Sequence, residues 1–415
     1  MKIGIVSQWY RPEPAPIPST LADDLVARGH DVRVLTGFPN YPDGEIYAGY
    51  RQRWNDRSLL GGVTLRRVPL YASHDQSGVR RALNYLSFAA TSTIAAWRFL
   101  KDVDVVYVYL TPATAFAAAA LVNRLHGVPV VIHVQDLWPE SVTSSAMAPS
   151  GRAGRMINRT LHATMRRVYR MSAGVAVIAP TMRDLVVSRG ADPNRTRTIL
   201  NWADEALFQP AASTDAARRE IGHRGRCTIM YAGAMGPFQN IENAVRAAAE
   251  LAPLNVLDLV LIGSGIAESA ARDLAGELGT DNVRFLGRRP MSEMATLYGA
   301  ANFQLVSLRD LPIFQGTIPS KLQAALACGT PVIVSVPGDC AALVETNGVG
   351  LACPPDDWRL LADRFLQAAK LPVDEREQMA RRAHEVYRTQ MSRQAGIDQL
   401  EEMLIDAAVN GRRTR

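Results

Sequence analysis

Short apolar runs separated by segments of helical period recur along the chain. Ile3 to Ser7 reads as an apolar strand, Thr20 to Arg28 as an amphipathic helix opened by a Thr-x-x-Asp capping pattern, and Asp31 to Thr36 as a second strand after Gly29. Val103 to Tyr109, Val128 to Val134 and Gly174 to Ile178 are further strand-like runs, the first two separated by the Ala-rich helical stretch Ala113 to His126. The theme starts afresh at Thr228 to Ala232, continues through a helix at Ile241 to Leu251 and a strand at Val256 to Ile262, and adds strands at Val283 to Leu286, Phe303 to Ser307 and Pro331 to Val334. Continuous apolar runs alternating with helices predict an α/β fold, with parallel sheets covered on both faces. Two Rossmann-like lobes follow, divided in the polar, Pro-terminated stretch Asn201 to Pro210. The expected lobes are residues 1–205 and 206–390, with a C-terminal helix at 391–415 packing back on the first.

A length of 415 residues exceeds what one hydrophobic core usually serves. Hydrophobic content of 47% with 21% charged residues excludes a disordered or fibrous chain. Met1 to Val6 lacks the charged and long apolar regions of a secretory signal, which predicts a cytoplasmic protein. Leu83 to Leu100 is interrupted by Asn84, Ser87, Thr91, Ser92, Thr93 and Arg98, so it reads as a buried or membrane-touching helix and not a spanning one. Cys227, Cys328, Cys340 and Cys353 lack close-paired spacing, and neither a disulfide framework nor a zinc site is expected. The net charge of +6 is modest, but Arg152, Arg155, Arg159, Arg166, Arg167 and Arg170 fall in a stretch without acidic residues. With Met156, Ile157, Leu161 and Val168 at helical spacing, Arg152 to Arg170 fits an anionic membrane surface or a plain solvated face; no aromatic-interleaved platform for nucleic acid accompanies it.

In open α/β sheets ligands bind beyond the carboxyl ends of the strands. The first such loop, Gln8 to Pro18, carries Pro12, Pro14, Pro16 and Pro18 in place of a Gly-x-Gly-x-x-Gly turn, which disfavours a dinucleotide cofactor; it is either a rigid connector or a stiff wall of the expected interlobe cleft. After Val130 to Val134 come Gln135, Asp136, Leu137, Trp138, Pro139, Glu140 and Ser141. Asp136 either orients or deprotonates an acceptor hydroxyl, or it or Glu140 caps the following helix; the residues leave both open. Thr317, Ile318, Pro319, Ser320 and Lys321 precede the helix-forming Leu322 to Ala327 and then Gly329, with Pro319 expected in the first helical turn. Free N–H groups at this helix start, the helix dipole and the Lys321 ammonium suit a diphosphate, although a surface lysine explains the same residues. Lys321 is one of only four lysines among 46 basic residues. Gly233 to Gly236, Gly263-Ser264-Gly265, and Gly287 with Arg288 and Arg289 also follow strands, either as ordinary turns or as walls of a nucleotide site.

Taken together, Ser7-Gln8-Trp9-Tyr10-x-Pro-Glu13-Pro14, Thr36-Gly37-Phe38-Pro39-Asn40-Tyr41-Pro42, Asp136-Leu137-Trp138-Pro139-Glu140-Ser141, Asn201-Trp202-Ala203-Asp204, Tyr231-Ala232-Gly233-x-Met235-Gly236 and Ile318-Pro319-Ser320-Lys321 resemble family 4 glycosyltransferases, in the branch of bacterial L-fucosamine (N-acetylfucosamine) transferases. The resemblance covers nearly the whole chain. It implies a GT-B fold, no cofactor or metal, a nucleotide-sugar donor on the C-terminal lobe, a glycan or lipid-linked acceptor on the N-terminal lobe at the cytoplasmic membrane face, and retention of anomeric configuration. By position, Asp136, Glu140, Gln315 and Lys321 are the catalytic candidates, and Gly233, Gly236, Gly265, Gly287, Arg288, Asp310, Pro319, Ser320, Lys321 and Gln323 the donor-binding ones. Two departures stand out. Relatives carry two glutamates where Gln315 and Gln323 stand here, and an Arg and Lys pair where Ala234 and Gln239 stand, which shifts phosphate binding onto Lys321 and Arg288 or Arg309 and sugar recognition onto groups such as Asp310. A small natural-product acceptor, a GT-B sugar-nucleotide epimerase and a non-catalytic scaffold are the competing readings.

Overall fold

The computed structural model describes residues 1–74, 77–140 and 151–413, without the side chains of 152, 153, 412 and 413. Ser141 and the Arg152 side chain, both singled out above, lie outside the described residues. The chain forms two compact units, Met1–Leu200 with the segment from Gly396 onward, and Asn201–Ala395.

The first unit contains β1 (Lys2–Val6), β2 (Asp31–Gly37), β3 (Asp56–Leu60), β4 (Val63–Val68), β5 (Val105–Leu110), β6 (Val130–Val134), β7 (Gly174–Val177) and β8 (Thr196–Thr198). They lie in the order β3-β4-β2-β1-β5-β6-β7-β8, parallel except that β3 runs antiparallel to β4. Ile3 sits between Val32 and Val105, so β1 is flanked by the strands where the winding reverses. The second unit contains β9 (Cys227–Ala232), β10 (Leu257–Ile262), β11 (Val283–Gly287), β12 (Phe303–Ser307), β13 (Val332–Ser335) and β14 (Gly350–Ala352), all parallel, in the order β11-β10-β9-β12-β13-β14. Here β9 lies at the reversal. In each unit this switch point lets the loops after neighbouring strands diverge and leaves room for a ligand. Ile229, Leu259, Leu261, Phe303, Leu305 and Ile333 fill the second core with Val245, Ala248 and Phe365 from the covering helices. Asp258, on β10, is fully buried and paired with Arg224 at 2.6 Å, Arg226 at 2.8 Å and Arg284 at 3.5 Å, which offsets the cost of burying its charge.

The first helix differs from expectation. It spans Pro16–Ala27, because Pro16 supplies the helical φ and needs no N–H partner there. Thr20 therefore lies inside the helix and does not cap it; its hydroxyl donates back to Pro16 O at 2.9 Å. The Ala113 to His126 stretch divides into a 3-10 turn, Ala113–Ala115, and a helix, Phe116–His126. The last helix, Arg393–Arg413, joins the first unit through Arg28 to Asp398 at 2.7 Å, His30 to Glu401 at 2.6 Å and Arg197 to Glu402 at 2.7 Å, over buried Ile397, Leu400 and Leu404. Among the described residues no helix is long and apolar enough to cross a membrane.

Candidate functional site

In the second unit, the loops after β9, β10, β11 and β12 converge on one another through glycines. Gly233 follows β9 with φ +140°, a conformation L side chains rarely adopt, and a Cβ there would lie 2.5 Å from Lys321 Cε and 3.0 Å from Nζ. Only glycine lets the lysine lie flat against the backbone. The Lys321 ammonium stands 5.0 Å over the Tyr231 ring and forms no ion pair among the described residues. Burial pushes its pKa below that of an ordinary lysine. A buried ammonium without a carboxylate is costly, and it is relieved by an anion.

Gly263 stands equally close to this loop: a Cβ on it would fall 1.9 Å from Gly233 O, and its N–H donates to Gly287 O at 2.8 Å. A Cβ on Gly265 would lie 2.3 Å from Met235 O, while Met235 N–H donates to Ser264 O at 2.9 Å. Arg288 reaches from the end of β11 to the Ser264 hydroxyl at 2.5 Å. Thus Gly233, Gly265, Gly287, Arg288 and Lys321 are brought together. Gly236 belongs to the same loop, but its N–H is taken by Gln239 Oε1 at 3.0 Å. Gln239 thereby braces the loop.

The helix after β12 spans Ser320–Ala327. Pro319 precedes it as the N-cap residue with φ −65°, one position earlier than expected, because its ψ of 144° is extended. Ser320 and Lys321 therefore open the helix, where leading N–H groups lack an intrahelical acceptor and the dipole is positive. The predicted glutamine pair is not equivalent. Gln315 is exposed, whereas Gln323 is 6% exposed on the packed side of the helix. Gln315 O accepts from Asp339 N–H at 2.9 Å, and Gly338 lies so near that its Cβ would stand 2.1 Å from that oxygen. Asp310 is exposed, and its N–H donates to Asp356 Oδ2 at 2.8 Å. Asp356 also accepts from Asn240 at 2.6 Å, and Arg309 Nε donates to Pro237 O at 2.9 Å, so the loops after β9 and β12 are clipped together.

In the first unit, the Glu13 carboxylate accepts N–H groups from Tyr10 at 3.0 Å, Asn40 at 2.9 Å and Tyr41 at 3.0 Å, tying the loop after β1 to the loop after β2. Trp9 and Tyr41 rings pack at 5.1 Å, and Tyr41 and His74 at 4.9 Å. Asp136, beyond β6, accepts from the Thr111 hydroxyl at 3.2 Å. Its side chain keeps an open face to solvent, yet the surrounding loops displace enough water to raise its carboxyl above the ordinary value, the Thr111 bond offsetting part of this.

Glu140 does not share that setting. Desolvation would raise its carboxyl, but two hydrogen bonds and the charge of Arg189 outweigh it and hold the group below its ordinary value. Arg189 also donates to Trp138 O at 3.2 Å. Glu140 is thus held in an ion pair with Arg189. Gly338 and Asp356 were missed. Nothing local in the sequence marked either of them.

Residues 15–202 match the family described as Glycosyl transferase 4-like domain, and residues 213–386 match Glycosyl transferases group 1. A protein of Escherichia coli (strain K12) named as a colanic acid biosynthesis glycosyl transferase, WcaI, is 26% identical over 90% of this chain and 93% of its own. WbjE of Pseudomonas aeruginosa, named as a glycosyltransferase, is 26% identical over 62% of this chain and 64% of its own. Among solved structures, sucrose-phosphate synthase from Thermosynechococcus elongatus superposes with a TM-score of 0.70 at 18% identity, covering 97% of this chain and 98% of that one. HepE of Anabaena, solved with UDP and glucose, gives 0.65 at 17% identity over 97% and 99%. These structures share the two-unit parallel-sheet fold. With the two family matches in tandem over most of its length, and glycine-walled loops at the carboxyl ends of the second sheet, the chain belongs to the family 4 glycosyltransferases of the GT-B fold.

Proposed function

We propose that the protein transfers a sugar, with retention of configuration, from a nucleoside-diphosphate sugar to a hydroxyl of a glycan or lipid-linked acceptor at the cytoplasmic face of a membrane. The observation that carries this is the half-buried Lys321 ammonium lying against Gly233 at a helix start, without a carboxylate partner among the described residues. A donor diphosphate supplies the missing negative charge. The UDP and UDP-glucose in the HepE structures support uridine as the base, and the names of WcaI and WbjE support polysaccharide building as the setting.

In the proposed step the acceptor oxygen forms a bond to the anomeric carbon on the face from which the diphosphate leaves. The bond from that carbon to the β-phosphate oxygen breaks, and the acceptor proton passes to the departing diphosphate. Lys321, Ser320 N–H and the helix dipole stabilise the charge developing on the leaving group, so positive charge comes from the chain without a metal. Arg288 and the Gly263 to Gly265 turn flank the nucleotide, Gln315 and Asp310 face the sugar, and Asp136 orients the acceptor hydroxyl. The fucosamine branch is the specific donor class this reading favours. A panel of UDP-, GDP- and dTDP-sugars, read by mass spectrometry with and without glycan acceptors, tests it. Acceptor-dependent release of nucleotide is expected. Release indifferent to any acceptor supports the epimerase instead, transfer only to small natural products changes the acceptor class, and no nucleotide binding leaves a scaffold.

A further inference from the structure

We infer that the helix Gly78–Phe99 of the first unit is a membrane-docking face that lies on anionic bilayers with its solvent-side apolar stripe inserted. The inference rests on the reading of the acceptor as membrane-presented and supplies the surface that reading lacks. One side of this helix is in the core: Tyr85, Phe88, Ala95, Ala96 and Phe99 are buried. The opposite side should then be polar, and it is not. Val79 (72% exposed), Leu83 (48%), Leu86 (57%), Ile94 (61%) and Trp97 (42%), with exposed Ala90 completing the spacing, form one continuous apolar row. At 1.5 Å per residue the row is about 27 Å long, far more than scattered surface leucines require.

Charge identifies the occupant. The crossovers after β4, β5 and β6 run in the same direction across the sheet, so right-handed connections place their helices, Gly78–Phe99, Phe116–His126 and Gly151–Met171, on one face. The first contains three arginines, the second one and the third six, and none of the three contains an Asp or Glu. Next to the stripe, Arg98 covers the Trp97 ring at 4.8 Å, His126 meets Trp97 O at 3.0 Å, and Arg124 and Leu125 are exposed on the neighbouring helix. An aromatic ring, apolar side chains and arginines without acids suit the boundary between acyl chains and anionic headgroups. Symmetric pairing of two copies through this face would press two arginine-rich surfaces together, which disfavours a second copy as occupant.

The full chain is floated with vesicles of phosphatidylglycerol and phosphatidylethanolamine, and with phosphatidylcholine alone, in the absence of donor and acceptor. Binding is expected to the anionic vesicles only. Replacing the exposed row as Leu83→Ser, Leu86→Ser and Ile94→Ser should lower vesicle partitioning about tenfold or more, with unchanged circular dichroism and unchanged UDP affinity. Arg98→Gln with Arg124→Gln should remove part of the salt-sensitive binding. Equal flotation of the triple variant overturns the proposal, as does a wild-type chain that never floats. A wild-type dimer that the triple variant dissolves overturns it in favour of a second copy. Loss of UDP binding in the wild type would instead sink the transferase reading and leave the flotation result standing.

Discussion

Lys321→Ala removes the ammonium that lies against Gly233 and over Tyr231, in a place where its burial already disfavours the charge. Two unit charges about 4 Å apart attract by about 4 kcal/mol at an effective dielectric near 20. Desolvation of both partners consumes part of that, and a charge-assisted hydrogen bond is worth about 1.5–3 kcal/mol net. UDP affinity should therefore fall roughly 10- to 150-fold, measured by calorimetry. The fold should survive, because truncation relieves a half-buried charge that has no ion-pair partner among the described residues; thermal denaturation checks this. Lys321→Arg should behave more like alanine than like wild type, since the wider guanidinium must fit where the lysine stem already occupies the space a Gly233 Cβ would need. The pH dependence has a defined sign. Only the ammonium attracts the diphosphate, and its pKa in the free protein is depressed, so affinity weakens as pH rises through that lowered value, before the ordinary lysine value of about 10.4. Binding should accordingly take up protons on the alkaline side. Dissociation constants within about threefold of wild type for a folded Lys321→Ala would refute the argument.

Gly263→Ala places a methyl 1.9 Å from Gly233 O at φ +127°, so the two loops must separate; a stability loss on the order of 1–3 kcal/mol in urea titration, with weakened UDP binding, is expected. Asp136→Asn should lower acceptor-dependent kcat by about 100-fold or more while leaving UDP affinity intact, and the wild-type acid limb should lie above the ordinary carboxylate range, because the raised carboxyl loses its charge earlier as pH falls. Glu140→Gln should leave turnover nearly unchanged and cost about 1 kcal/mol of stability, kept small because Glu140 is 35% exposed; the swap Glu140→Arg with Arg189→Glu should recover part of that loss.

The parallel strands were legible because buried strands write continuous apolar runs, and β1, β2, β5, β6, β9, β10 and β12 each sit within a residue or two of theirs. The hairpin of β3 and β4 was not: β3 is almost wholly exposed, so its residues carry no apolar signature. Helix starts slipped where prolines act through dihedral angle, at Pro16 and at Pro319. Of the candidate site, the glycines and Lys321 were readable because turn chemistry and helix-start chemistry are local. That Gly233 exists to accommodate Lys321 was hidden, since the two are distant in sequence and meet only when β9 and β12 lie side by side. The ion pair of Glu140 was hidden too, because its partner Arg189 belongs to a different loop.

The closing helix Arg393–Arg413 has a consequence for how the molecule is made. Residues 201–395 form an uninterrupted segment that is available to fold as soon as it leaves the ribosome, whereas the unit translated first lacks the carboxylates for Arg28, His30 and Arg197 until translation has reached Glu402. Of the two units, the one that begins to emerge first is thus the last to be completed. Until then the apolar groove awaiting Ile397, Leu400 and Leu404 is open to chaperones and proteases, so a stop codon after residue 395 should be detected by the cell as damage to the opposite end of the chain.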